Sequence, residues 1–343
     1  MSDALPSPTM PGSPAPDQAA RSPWLTSTAW RGLFRDRPVI PLLGLLAILV
    51  IASQVVRPGI VTPAWAAVIM RTAVPLAILA GCQTLTMLTG GIDLSVGAIA
   101  SMSGFVVATF VNSPGGVPQG IAVALAAAIL AGLLTGIGVG VFRVHPLIMT
   151  LGMSLVVLGL ANVWQLQMVQ TGAGVPPSFR WLGSGMTLGI LPNSLLIFVP
   201  LAVLILLALR RTGYGRLLFA IGDNPIATRL SGARAWQVIV VLYVVSALMA
   251  AVAGFILVGL TNVAAVTLAD SFVLPSVAAA VIGGTSIMGG RGGYGGTIVG
   301  ALILTVLSSL LSSLGYPEAV RQILFGAIIV AVAAAYTRVT SES

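Results

Sequence analysis

The sequence predicts an all-α, polytopic integral membrane protein that is a bundle of about ten transmembrane helices. The 343-residue chain is 57% hydrophobic and 7% charged, and its mean hydropathy is +1.06. A soluble domain carries about 25% charged residues. Apolar segments long enough to cross a bilayer as helices recur along most of the length. A transmembrane β-barrel would alternate apolar and polar residues, and this chain does not.

Two regions differ in composition. Residues 1–37 are rich in Pro, Ser and Ala without apolar periodicity, which predicts a disordered cytoplasmic tail. Residues 38–338 form the predicted transmembrane domain. The first apolar segment begins only near Val39, so no signal peptide is expected and the first span serves as the insertion signal.

The apolar segments of the transmembrane domain are separated mostly by Pro, Gly and polar residues, the usual punctuation between helices. The predicted spans are 39–56, 69–89, 94–110, 119–141, 146–165, 194–209, 236–260, 271–289, 296–312 and 318–336. A re-entrant segment near 271–296 is an open alternative to a full span there.

Arginine distribution predicts the orientation, because cytoplasmic loops collect basic residues. With both termini in the cytoplasm, twelve arginines fall inside: Arg21, Arg31, Arg35, Arg37, Arg143, Arg210, Arg211, Arg216, Arg229, Arg234, Arg291 and Arg338. Four fall outside: Arg57, Arg71, Arg180 and Arg321. This asymmetry explains the net charge of +8 as membrane topology, so no nucleic-acid partner is expected.

Composition also excludes several chemistries. The chain has no lysine, and a P-loop requires one to contact the nucleotide phosphates, so the chain is not expected to hydrolyse ATP itself. The single cysteine, Cys82, excludes an internal disulfide, and the single histidine, His145, cannot anchor a multi-histidine metal site. No metal site and no bound cofactor are therefore predicted.

Glycines recur at intervals of four in two predicted spans: Gly132, Gly136 and Gly140, and again Gly292, Gly296 and Gly300. This spacing places small residues on one helix face, where a second backbone can approach closely. We therefore expect tight helix packing at both stripes.

Asp93 lies in the apolar stretch GGIDLSVGAIASMSG (90–104). Gly90 and Gly91 can end one helix, and Asp93 can cap the next by accepting from the free amides of residues 94–96, with Ser95 in the same turn. A charge at the bilayer centre costs about 2.5–3.5 kcal/mol. We therefore expect this turn at the cytoplasmic end of the helices, where it can also line a gate.

The segment from Arg210 to Arg234, RRTGYGRLLFAIGDNPIATRLSGAR, is the most charged internal loop. Asn224 is a favourable N-cap residue, and Pro225 is favourable at the first helical position. Gly232 is favourable just after a helix ends. These residues predict a short cytoplasmic helix near 225–231, interpreted either as a docking element or as a topology anchor that happens to be helical.

Three glycine-rich motifs together resemble a known family. GGIDLSVGAIASMSG, GRLLFAIGDNPIATRLSGA and VIGGTSIMGGRGGYGGTIVGALI are similar, in order and spacing, to motifs of the membrane permease subunits of ribose-type sugar ABC importers. The resemblance covers about residues 38–336. It implies alternating access in the bacterial inner membrane, with a second permease copy, an extracytoplasmic sugar-binding protein and a cytoplasmic ABC ATPase as partners. ATP and Mg²⁺ would bind to that ATPase.

Residues 215–232 match the family's cytoplasmic coupling segment, and Gly222–Asp223–Asn224 corresponds to a Gly-x-Asn run common in the family. The coupling residues that the resemblance implies are Gly222, Asp223, Asn224, Pro225, Ala227, Arg229, Leu230 and Gly232.

A path for a neutral sugar requires hydroxyl, amide and aromatic groups. The candidates are Gln83, Thr84 and Thr86, then Asn162, Trp164 and Gln165, then Thr285 and Ser286. For each of them an ordinary interhelical hydrogen bond is the alternative interpretation.

Three other classes remain as alternatives. An ion-coupled secondary transporter would need intramembrane carboxylates, and outside the tails the chain has only Asp93, Asp223, Asp270 and Glu318, all placed near span ends or in loops. A channel would need a charged ring or a carbonyl filter, and an intramembrane enzyme would need a catalytic motif, none of which is evident. The sequence does not identify the sugar, nor whether the permease pair is a homodimer or a heterodimer.

Overall fold

The computed structural model describes residues 39–113, 115–168 and 174–341, without the side chains of 167, 168, 329 and 331–341. The predicted tail of residues 1–37 lies outside the described residues, and the described part falls within one compact unit, Pro38–Ser343. Its long helices are α1 (Val39–Val56), α2 (Pro63–Leu88), α3 (Val96–Thr109), α4 (Gly116–Gly140), α5 (Pro146–Met168), α7 (Leu195–Arg211), α8 (Gly213–Asp223), α10 (Ala235–Thr261), α11 (Val273–Ile282), α12 (Tyr294–Ser313) and α13 (Glu318–Ser341). The short elements are α6 (Pro177–Ser184), the strands β1 (Met186–Thr187) and β2 (Leu191–Pro192), and α9 (Pro225–Leu230).

Every one of the ten predicted apolar segments contains a helix, which confirms the all-α membrane fold. Six helices in the described part are long and apolar enough to span a membrane: α1, α2, α4, α5, α10 and α12. A seventh span results if α7 and α8, which are bent by 69° at Thr212, are counted together.

Two predicted spans are shorter than expected. Helix α3 has 14 residues and α11 has 10. At 1.5 Å per residue they extend about 21 and 15 Å, less than the roughly 30 Å hydrocarbon core. All residues of α3 are buried, so this helix lies inside the protein and is not a lipid-facing span.

The first glycine stripe packs as predicted, and the second does so at two of its three positions, because Gly292 lies in the loop before α12 with a φ of 135°. A Cβ on Gly132, Gly136 or Gly140 would lie 2.6–2.9 Å from backbone atoms of α10. On α12, a Cβ at Gly296 or Gly300 would lie 2.0–2.2 Å from backbone oxygens at the end of α11. These distances are too short for any side chain, so glycine is required where the backbones touch. Helix α10 thereby becomes central, packing against α2, α3, α4 and α6.

The elements that the sequence did not predict are α6, the small antiparallel β1–β2 hairpin and α8. Helix α8 occupies the first half of the loop 210–234. Its N-cap, Thr212, accepts a 3.2 Å hydrogen bond from the amide of Gly215.

Candidate translocation and coupling site

Helix α9 confirms the predicted short helix and its cap. The side-chain Oδ1 of Asn224 accepts hydrogen bonds from the amides of Ile226 (3.1 Å) and Ala227 (2.9 Å). Pro225 occupies the first turn, as predicted, where its missing N–H costs nothing. Gly232 adopts a left-handed φ of 84° just after the helix, the conformation that favours glycine after a helix end.

The outer face of α9 is apolar and exposed. Ile226 is 71% exposed and Leu230 is 84% exposed, and because they are four residues apart they share one face. Leu230 is in the predicted coupling set, whereas Ile226 was missed, although its i, i+4 spacing to Leu230 is readable in the sequence. The six-residue α9 therefore presents a small exposed apolar surface, formed by Ile226 and Leu230.

Hydrogen bonds connect α9, through α8, to the rest of the membrane domain. The hydroxyl of Thr228, the buried residue of α9, donates to the carbonyl of Ala220 in α8 (2.8 Å). The hydroxyl of Tyr214 in α8 donates to the carbonyl of Val238 in α10 (3.1 Å). Helices α9 and α8 therefore form one folded unit anchored on α10.

A junction of backbones joins α8 to two other helices. A Cβ on Gly222, at the end of α8, would lie 1.9 Å from the carbonyl oxygen of Leu88, the last residue of α2. That same carbonyl accepts a 3.0 Å hydrogen bond from the amide of Gly290 in the loop before α12. Gly289 and Gly290 have φ values of 95° and 70°, which favour glycine. We call this contact of Leu88, Gly222, Gly289 and Gly290 the glycine junction.

The glycine junction brings together all three motifs that carried the sequence resemblance. The LTGG turn contributes Leu88, and a Cβ at Gly289 would lie 3.1 Å from the amide nitrogen of Gly90. The GDNP segment contributes Gly222 and Asp223, and the MGGRGG loop contributes Gly289 and Gly290. Motifs that are far apart in sequence thus form a single contact.

Asp93 is 1% exposed and fully hydrogen-bonded. Its Oδ1 accepts from the amide (3.0 Å) and the hydroxyl (2.5 Å) of Ser95, and its Oδ2 accepts from the hydroxyl of Ser246 in α10 (2.9 Å). The side chain of Gln83 clamps the backbone of Asp93, donating to its carbonyl (2.8 Å) and accepting from its amide (3.1 Å).

This geometry confirms only part of what the sequence predicted for Asp93. Of the amides 94–96, that of Ser95 donates to the carboxyl group as predicted, and the hydroxyls of Ser95 and Ser246 supply its other hydrogen bonds. Its depth also differs, because Ser246 is eleven residues into the 27-residue α10, about 16 Å from the start of that helix. The turn folds back into the bundle, so α3 starts near the mid-depth of α10 and is short. The carboxyl group is therefore stabilised by buried hydrogen-bond donors.

Several predicted path residues lie in the interior. Thr84 on α2 and Thr297 on α12 share a 2.6 Å hydroxyl–hydroxyl hydrogen bond, and the Thr285 hydroxyl lies 3.5 Å from that of Thr297. The Ser286 hydroxyl accepts from the amide of Met288 (3.2 Å). Thr86 bonds to carbonyls of its own helix. In this conformation the Thr84–Thr297 pair joins α2 to α12, and the role of these groups as path residues stays a prediction.

The three candidates on α5 lie on another surface. Asn162 and Gln165 are exposed, and Asn162 donates to the carbonyl of Leu158 in its own helix (2.9 Å). Trp164 donates to the hydroxyl of Thr109 (3.1 Å) and stacks on Phe110, with ring centroids 6.1 Å apart. The structure therefore does not bring the α5 candidates together with Gln83, Thr84 and Thr285.

A cavity of about 660 Å³ lies between α2, the segment before α11, α12 and α13, and we call it the vestibule. Its polar lining consists mainly of hydroxyl groups: Thr72, Ser271, Thr305, Ser308, Ser309 and Ser312. Two aromatic rings, Phe272 and Phe325, and the ion pair between Glu318 and Arg321 complete it. Sequence reasoning missed the vestibule, although serines 308, 309, 312 and 313 are a visible cluster in α12.

The vestibule and the glycine junction are at opposite ends of the same two helices. Helix α2 contributes Thr72 to the vestibule and Leu88 to the junction, and α12 runs from Tyr294 beside the junction to Ser308 in the vestibule. Each connection is about 20–25 Å long. Tyr294 strengthens it, since its hydroxyl donates to the carbonyl of Ala77 in α2 (3.1 Å). A displacement at α9 has a continuous packed route to the vestibule.

These features are those of a polytopic membrane permease: a helical bundle with a cavity whose polar lining is mainly hydroxyl groups at one end and the exposed short helix α9 at the other. Comparison with known proteins agrees. Residues 65–333 match the family described as branched-chain amino acid transport system / permease component. The chain belongs to this permease family, and no solved structure matches it.

Curated relatives cover most of the chain. It is 37% identical to the ribose import permease protein RbsC of Bacillus subtilis (strain 168) over 84% of this chain and 89% of the relative. It is 31% identical to the galactofuranose transporter permease protein YtfT of Escherichia coli (strain K12), over 77% of each chain. It is 30% identical to the fructose import permease protein FrcC of Rhizobium meliloti, over 76% of this chain and 74% of the relative.

Proposed function

We propose that this chain is the membrane-spanning subunit of an ATP-driven ABC importer that carries a monosaccharide or a related polyol. The observation that carries the proposal is the packed connection from the exposed α9 through the glycine junction to the vestibule. The names of the relatives, which import ribose, fructose or transport galactofuranose, support the sugar class. The hydroxyl and aromatic lining of the vestibule suits a neutral polyhydroxylated solute.

The proposed orientation is ten passes with both termini in the cytoplasm of a bacterium and the protein in its inner membrane. In this orientation α9 and the glycine junction lie on the inside, and the vestibule lies outside, next to Arg321. A sugar-binding protein would deliver the solute to the vestibule. The short α3 and α11 then count as incomplete passes buried within the bundle.

The proposed mechanism is alternating access. A partner ABC ATPase would bind the Ile226–Leu230 face of α9, hold ATP and Mg²⁺ itself, and close on ATP binding. Because α9 is tied to α8 by Thr228, and α8 contacts α2 and the loop before α12 at Gly222, closure would shift those two helices. They connect to the vestibule, so the outer cavity would change with the nucleotide state.

A second permease copy, identical or related, is part of the proposal. The exposed face of α5 carries Asn162 and Gln165. Amide groups are poorly solvated by lipid tails, so this face is the one that we propose the second copy covers. The predicted path candidates on α5 would then lie at the subunit interface.

The decisive experiment is association of this chain with the proposed partner ABC ATPase. Leu230→Asp places a carboxylate on the exposed apolar surface of α9 and leaves the Asn224 cap intact. We therefore expect the variant to lose both co-purification with the ATPase and the ATP hydrolysis that the binding protein stimulates. The matched control is Leu188→Asp, also exposed (82%) but in the β1–β2 turn, which should co-purify normally. Equal co-purification of Leu230→Asp and wild type would contradict the proposed docking helix.

An ion-coupled secondary transporter remains the second candidate, because Asp93 lies deeper in the bundle than the sequence suggested. The two functions differ in energy source. In vesicles with ATP held constant, a protonophore should leave solute uptake unchanged if the importer proposal is right. Uptake that collapses with the proton gradient, and that needs no ATPase partner, would favour the second candidate.

A further inference from the structure

A second cavity, of about 500 Å³, lies between the end of α4, helix α9 and the start of α10. Three arginines line it: Arg143 after α4, Arg229 on α9 and Arg234 before α10. Its walls are apolar, formed by Val141, Ile239 and the ring of Trp236 among others. We call it the arginine pocket; of its three arginines, only Arg229 belongs to the predicted coupling set.

The pocket lies where the close contact between α4 and α10 ends. At Gly140 the two helices touch, since a Cβ there would lie 2.9 Å from the carbonyl oxygen of Trp236. Helix α4 ends at Gly140, and three residues later Arg143 adopts a left-handed φ of 57°. This conformation is costly for a residue other than glycine and recurs at binding sites. The chain therefore turns Arg143 toward the pocket at a cost in backbone strain.

The pocket is positively charged. Among the residues that the structure describes, no Asp or Glu lines it. In the part of the chain that the structure describes, the one ion pair is Glu318–Arg321, which lines the vestibule instead. Guanidinium groups pair with phosphate through two parallel hydrogen bonds. The composition of the pocket is thus that of a site for a phosphate group.

The surroundings favour a lipid over a free anion as the source of that phosphate. Val141 and Trp236 are both about half exposed. Above them on α4, Leu130 and Leu134 are also exposed, and the spacing 130, 134, 141 keeps them on one face of the helix. An apolar strip thus leads along α4 into the arginine pocket, which matches acyl chains attached to a charged headgroup.

We propose that the arginine pocket binds the headgroup phosphate of an anionic phospholipid, whose acyl chains lie along the exposed face of α4. Because Arg229 belongs to α9, the bound lipid would link the docking helix to α4 and α10. The binding site itself does not depend on the transported solute or on the ATPase, so it can be tested on this chain alone.

The test compares lipid retention by native mass spectrometry of the full chain purified in a neutral detergent. The probes are phosphatidylglycerol and phosphatidylcholine with identical acyl chains. The pocket variant is Arg143→Gln/Arg234→Gln, which leaves α9 intact. The matched control, Arg211→Gln/Arg216→Gln, removes two exposed arginines of the same loop region that do not line the pocket. Thermal unfolding without added lipid checks that both variants fold.

We expect wild type and the control to prefer phosphatidylglycerol, and the pocket variant to bind it about thirtyfold more weakly, roughly fivefold for each arginine lost. Equal losses in both double variants would overturn the proposal in favour of general surface charge. If excess inorganic phosphate displaces the lipid and raises the unfolding temperature equally well, the site binds a soluble anion and the lipid assignment fails. Should the pocket variant not fold, Arg143→Gly provides the second test, because glycine keeps the left-handed turn and removes the charge.

Discussion

The carbonyl of Leu88 accepts the amide hydrogen of Gly290 at 3.0 Å, which fastens the end of α2 to the loop before α12. The backbone of Gly222 packs on that same carbonyl from α8. Two of the helices that line the vestibule, α2 and α12, are thereby held at one point, next to the exposed helix α9. The consequence is that small changes at this point should affect coupling before they affect solute recognition.

Gly222→Ala tests the glycine junction. The added Cβ would lie 1.9 Å from the Leu88 oxygen and 2.4 Å from the Gly290 amide nitrogen. Overpacking of this kind destabilises proteins by about 1–3 kcal/mol. We expect a lower unfolding temperature in detergent and weak stimulation of ATP hydrolysis by the binding protein.

The control for that change is Gly213→Ala in the same helix, where the nearest atom to a new Cβ is 3.7 Å away. Its stability should be unchanged or slightly higher, since alanine favours the helix by about 0.5–1 kcal/mol. If both substitutions behave alike, the junction does not transmit the motion.

Replacement of Asp93 separates its hydrogen bonds from its charge. In Asp93→Asn, Oδ1 can still accept from Ser95, and the amide group can donate to the Ser246 hydroxyl, so we expect folding and most transport to persist. Asp93→Leu leaves the buried hydroxyl groups of Ser95 and Ser246 unpaired, at about 1–3 kcal/mol each. The yield of folded protein after purification and the unfolding temperature are the measurements.

Ser246→Ala removes one hydrogen-bond donor to Asp93 from the other side of the contact. It should lower the free energy of unfolding by about 1–3 kcal/mol, because a buried carboxyl oxygen is left without its partner. Inactivity of Asp93→Asn with normal stability would show that the charge itself is needed. That result would also strengthen the ion-coupled alternative.

Ser308→Leu tests the vestibule. A leucine side chain would occupy part of the hydroxyl-lined cavity and remove one polar contact, so we expect solute uptake to fall while the complex with the ATPase stays intact. Ser313→Leu, five residues further along α12 and outside the vestibule, is the matched control and should transport normally. Equal uptake by both variants would place the solute path elsewhere.

Cysteine cross-linking tests the proposed subunit contact at α5. The chain has one cysteine, Cys82, which is buried and should not react. Asn162→Cys is expected to form cross-linked dimers in membranes with a short bifunctional reagent. Leu204→Cys on α7, which is 63% exposed, should remain monomeric, and the opposite pattern would move the interface to α7.

Much of the fold could be predicted from the sequence because it depends on local rules. The positions of the apolar segments predicted ten of the helices. The dipeptide Asn224–Pro225 predicted α9 and its cap. The four-residue glycine spacing predicted the two close helix packings. Each of these patterns is contained in one helix or one turn, so a single stretch of chain carries the whole signal.

What the tertiary structure alone decided is where distant segments meet. Asp93 is stabilised by Ser246, which is 153 residues away, and this partner permits a carboxyl group to lie deep in the bundle. The glycine junction, the vestibule and the arginine pocket each combine residues from three or more elements. The free energy of a buried polar group depends on its partners, and partners so far apart along the chain become neighbours only when the helices pack.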